Sequence, residues 1–146
     1  MKPRNCWSVL TQKAQDEEDT AQTALARARA RVLELQQSRE RMNDLLEDYK
    51  QKTLAAQAQV QTMSQATNSR QFLLQLLSLV SRVDEDLQMA LRELEQAKAV
   101  SLQASHQRMK METMQEKDLQ AVQAWQRKQE QKQMDALGVT LYNLKA

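Results

Sequence analysis

The residues best suited to chemistry are few and far apart. His106 is the only histidine among 146 residues, and it stands between Ser105 and Gln107. A general base or metal ligand needs a second polar group converging on the same point, and on a helix this imidazole faces water. Cys6 is the only cysteine, with no histidine near it to raise its nucleophilicity. Asp16-Glu17-Glu18-Asp19 and Asp84-Glu85-Asp86 are runs of carboxylates. Consecutive residues fan around a helix, so these runs are solvated faces and not cation sites. Met109, Met111 and Met114 offer thioethers, but their spacing is that of an adaptable packing surface. No glycine precedes Gly138, so no phosphate-cradling loop is present. The expectation is a protein without catalytic, cofactor or metal residues, and not an enzyme.

The elements that would position these residues are helices. One Gly and one Pro stand where average usage would give about ten and about seven. Aromatic residues make up 3% of the chain, so sheets and tight turns lack their usual components. What dominates is Ala, Leu, Gln, Glu, Lys, Arg and Met, the good helix formers. Lys and Arg number 21 against 19 Asp and Glu, a net charge of +2 with the signs interspersed. A nucleic-acid binder gathers positive charge on one face, so nucleic acid is not an expected partner. The longest apolar run, Phe72 to Val80, is interrupted by Gln75 and Ser78 and is too short to cross a bilayer. No apolar run follows the basic N-terminus, as a secretory signal would require, and a lone cysteine fits a reducing compartment. The expected location is the cytoplasm.

Two heptad series run through the chain. The first is Trp7, Thr11, Ala14, Glu18, Ala21, Leu25, Ala28, Val32, Leu35, Arg39, Met42, Leu46, Tyr49, Thr53, Ala56, Val60 and Met63. The second is Leu73, Leu76, Val80, Val83, Leu87, Ala90, Leu94 and Ala97, continuing in more polar form through Arg108, Met111 and Asp118 to Val122 and Trp125. Alternating steps of three and four bury a narrow stripe against another helix. The phase slips between residues 64 and 72, where Asn68 and Gln71 can form a capping box. The expected fold is all-α, a long antiparallel two-helix coiled-coil hairpin in one domain. Helix 1 would cover about 6–64, the turn 65–69, helix 2 about 70–137, and a short tail 138–146. The other arrangement is one unbroken helix paired with a second chain.

A bend near residue 67 would set residue i opposite about 134 minus i. Trp7 and Trp125 would then meet at the open end, and Arg39 would find Glu93 and Glu95. Arg108 would extend its stem over Ala24 and Ala28. Past about residue 128 the second helix would project alone, and Gly138 would end it in the left-handed conformation.

Apolar residues are in surplus near the bend. With Leu73, Leu76 and Val80 in the seam, Phe72, Leu74, Leu77 and Leu79 still need cover, as does Leu45 in helix 1. Such a cluster marks either a partner site or self-association.

Asn68-Ser69-Arg70-Gln71-Phe72 and the run Gln126-Arg127-Lys128-Gln129-Glu130-Gln131-Lys132-Gln133-Met134-Asp135-Ala136-Leu137 resemble the flagellar FliJ family. That family opens its second helix with N-x-x-x-F and closes a Gln/Arg/Lys-rich stretch with QK-x-[ML]-D-x-[FL]. The resemblance extends over nearly the whole chain in length and helical layout. It implies a non-catalytic stalk of the flagellar type III export apparatus, peripheral at the cytoplasmic face of the inner membrane and not inserted in it. The open end, with Trp7, Leu10, Trp125, Lys128 and Lys132, would enter the hexameric export ATPase. A face nearer the bend, with Met42, Leu45, Tyr49, Phe72, Leu76 and Leu79, would meet the cytoplasmic domain of the export gate protein. Export chaperones are further implied partners. Leu45 stands where the family often has an aromatic residue, and Ser38 where a longer polar residue is usual. Leu76 is claimed by both the seam and the face. The alternative function is a generic self-associating coiled-coil scaffold or tether; a helix lying on a membrane surface is a third.

Overall fold

A computed structural model describes residues 2–59 and 62–145. The fold is all-α, and its two helices, α1 (Asn5–Gln57) and α2 (Met63–Lys145), pack against each other. The predicted stripes are the buried ones. Every member of the first series from Trp7 to Ala56 is buried or half-buried except Arg39, and every member of the second from Leu73 to Val122 is likewise covered. Val60 lies outside the described residues, and Met63 is exposed.

The bend is displaced from its expected position. Residues 65–69 are helical, and α2 already begins at Met63. A capping box is present but starts at Thr62: Gln65 N–H donates to Thr62 Oγ1 at 3.2 Å, and Thr62 N–H donates to Gln65 Oε1 at 3.3 Å. These bonds satisfy amide donors that a helix start leaves open. The first turns of α2 carry no seam residue, so the apolar phase resumes only at half-buried Ser69 and Leu73. Gly138 is a second correction: α2 runs through it to Lys145, and no glycine has positive φ. With nothing packed on either side of residue 138, one glycine costs about 1 kcal/mol and does not end a helix of 83 residues.

The chain forms two units. One, Gln22–Val100, holds the connection between the helices. Its core is Val32 and Leu35 of α1 against Leu87 and Ala90 of α2, with Leu91 and Leu94 packed alongside. Tyr49 meets Phe72, with ring centroids 4.6 Å apart. Arg39 meets Asp84, not the expected Glu93 and Glu95: Nε lies 2.8 Å from Oδ1. This contact is an ion pair and not a well-directed hydrogen bond. These pairs run antiparallel in a register about a dozen residues short of the one a bend at 67 would give.

The other unit joins the segment up to Ala21 with that from Ser101 onward. Ala14, Ala21 and Val122 are buried in it, and so is Glu18. Arg4 N–H donates to Asp118 Oδ2 at 2.8 Å, tying the start of α1 to α2. Trp125 lies seven residues beyond Asp118, and Trp7 three residues inside Arg4. The two rings are therefore separated by roughly 15 Å along the helix axis and do not meet as expected. From residue 123 to 145 α2 is exposed throughout, apart from half-buried Gln129.

Candidate partner-binding edge and terminus

In the unit that holds the connection, the site begins with two seam residues of α1, Met42 and Tyr49, seven apart and half-buried. Leu45 lies between them, one step off the seam. On α2, Phe72 and Leu79 are also seven apart, each one position before a seam residue. Tyr49 fixes how the stripes meet: its ring tilts 56° against Phe72, and its hydroxyl donates to Ser69 O at 3.4 Å. In that register Leu45 stands level with Leu76 and Met42 with Leu79, so all six residues fall on three successive levels. Leu45, Phe72 and Leu79 are 48%, 42% and 42% exposed, while Leu76 is only 3% exposed. Leu76 belongs to the seam. It supports the edge from beneath and offers no surface. Leu74 and Leu77 are exposed as well, on the opposite side of the α2 seam by their heptad positions.

The residues expected at the open end all belong to the unit with both termini. Leu10 borders a shallow groove with Lys13, Ala14, Glu17, Gln107 and Met111. Trp7 is half-buried, and Trp125, Lys128 and Lys132 are exposed. The structure does not gather these five into one cluster, because the register leaves Trp125 and the two lysines on the unpaired part of α2.

The same unit contains a polar cluster that the shifted register had concealed. Arg108 Nε donates to Glu18 Oε2 at 2.7 Å, and Arg108 Nη1 donates to Glu112 at 2.9 Å. The guanidinium therefore does not extend over Ala24 and Ala28. The hydrogen bond from Arg108 holds the Glu18 carboxyl below its ordinary value, against desolvation, with Ser105 and the charge of Arg108 adding to the effect. Glu18 and then Glu112 raise Arg108 in turn. Both Glu18 and Arg108 already stood on the seam series; only their pairing required the correct register.

Among the described residues no group of three or more His, Cys, Asp and Glu is placed to hold a metal ion, and no helix is long and apolar enough to cross a membrane. Two long helices packed on heptad stripes define the class, an α-helical coiled-coil protein. The chain itself belongs to the FliJ family: the family model described as flagellar FliJ protein matches residues 8–146. It is therefore a component of the flagellar export apparatus. No curated protein and no solved structure matches it.

Proposed function

We propose that this protein is the non-catalytic central stalk of the flagellar export ATPase, and that it links the ATPase ring to the export gate. The observation that carries the reading is the edge formed by Met42, Leu45, Tyr49, Phe72 and Leu79. Family resemblance implies these positions, and three of them are apolar side chains left uncovered by the helix pairing. A partner helix or groove laid on this edge gains the burial that the seam does not supply. Trp7, Leu10, Trp125, Lys128 and Lys132 serve the ATPase ring, with the unpaired helix after Val122 entering it. The protein performs no chemistry. An asymmetric two-helix stalk biases six equivalent subunits, and export chaperones dock on the same apparatus.

The test is binding of the purified cytoplasmic domain of the gate protein. Phe72→Ala and Leu79→Ala each weaken binding about tenfold, the loss of a contact worth about 1.4 kcal/mol, with helix content unchanged. Unchanged affinity in both variants removes the edge from the gate interface. Loss of helicity in either would assign these residues to the seam.

A further inference from the structure

Within the unit that carries both termini, the helix from residue 123 to 145 is exposed apart from Gln129, with no packing partner among the described residues, yet it carries a second ordered stripe. Met134, Leu137, Leu141 and Leu144 are spaced three, four and three residues apart and are 58–78% exposed. This is the spacing of a coiled-coil seam. It is not a remnant of the α1-facing seam, whose continuation runs through Gln129, Lys132, Ala136, Val139 and Asn143. Gly138 lies inside the stripe. It has no positive φ to require glycine, and a Cβ there would meet nothing within 4 Å. Glycine at such a point costs helix stability and gains nothing from its own chain.

We infer that this stripe pairs with the same stripe of a second copy, antiparallel and centred near residue 139. In that arrangement Leu137 stands level with Leu141 of the second copy and Met134 with its Leu144, so four apolar layers form from one self-complementary patch. Gly138 flanks the centre beside Gly138 of the other copy, where the absence of side chains lets the two backbones approach. Charge selects the direction. Extended toward the N-terminus, the stripe reaches Glu130 and Arg127. A parallel in-register pair would set Glu130 on Glu130 and Arg127 on Arg127, like charges in the seam itself. The antiparallel pair leaves both outside the four layers. Four layers lie at the low end of what a specific interface buries, so the dimer is weak and concentration-dependent. This inference does not rest on the export-stalk reading; a helix paired in this way is withheld from the ATPase ring, so the dimer is a form of the chain outside the ring.

Sedimentation equilibrium of the full chain tests it, together with disulfide trapping in a Cys6→Ser background. The expected mass rises with concentration from 16.9 kDa toward twice that value. Leu137→Glu combined with Leu141→Glu abolishes the rise without changing the melting of the paired helices. Thr140→Cys, which flanks the same centre on the other side of the stripe and leaves Gly138 in place, traps a dimer under mild oxidant at least tenfold faster than Met134→Cys. A monomer at every concentration overturns the inference. So does a dimer that persists in the double variant, which would place the contact elsewhere, or faster trapping through Met134→Cys, which would make it parallel.

Discussion

The two units use the same heptad spacing to hold their helices, with opposite chemistry. In the unit holding the connection the seam is Val32, Leu35, Leu76, Leu87 and Ala90, with the Arg39–Asp84 pair at its margin. In the unit with both termini, alanines and Val122 alternate with Thr11, Glu18, Arg108, Gln115 and Asp118, all at least half-buried. Apolar layers supply burial and tolerate sliding, whereas a buried hydrogen-bonded ion pair adds little net stability and penalises a wrong register. Thr11 Oγ1 is buried and finds no hydrogen-bond partner among the described residues, a further cost on the polar side. The first unit holds the helices together; the second fixes which residues face each other and opens more readily.

The largest way to break this contrast is to empty the apolar seam. Leu35→Ala or Leu87→Ala costs about 2–4 kcal/mol. Hydrogen exchange registers the loss as faster exchange across 22–100. If exchange there were unaffected, the seam would not be the source of stability.

Next is the ion pair. Arg108→Leu strips the guanidinium from buried Glu18 and accelerates exchange in 8–21 and 101–122. The double change Glu18→Leu with Arg108→Leu restores protection but lets the register slip, which cross-linking across the pair detects. Acid acts on the same contact. Because the folded Glu18 lies below 4.5, its contribution is complete above that value and is lost as pH falls through the lowered one. Opening of this unit should therefore begin in that acid range, whereas Glu18→Gln exchanges faster already at neutral pH and loses the acid dependence, as exchange followed against pH would show.

Smaller still, Thr62→Ala removes half of the capping box and costs about 1 kcal/mol, seen as fraying of the first turns of α2. Gly138→Ala gives the smallest shift, a gain of about 0.5–1 kcal/mol in local helix stability, visible as slower exchange around residue 138.

Much of this was legible from spacing. Both seams read correctly from Trp7 to Ala56 and from Leu73 to Val122, because steps of three and four are a direct image of a buried stripe. The exposed edge was legible too, since Leu45, Phe72 and Leu79 lie one position off the seam. The bend was not. Without Gly or Pro to mark it, the phase slip shows only where packing resumes, and the first turns of α2 form before any seam residue appears. That displacement carried into every cross-helix pairing: Arg39 with Asp84, Arg108 with Glu18, and the separation of Trp7 from Trp125. Gly138 suggests a stop because glycine commonly follows a helix end, yet one such residue does not end a helix that nothing opposes.

The stalk proposed above would act on an enzyme while performing no chemistry of its own. Titrating the purified hexameric export ATPase with the full chain tests it most directly. ATP hydrolysis and ring assembly should rise together to a plateau. An unchanged hydrolysis rate at a saturating concentration of folded chain would contradict it.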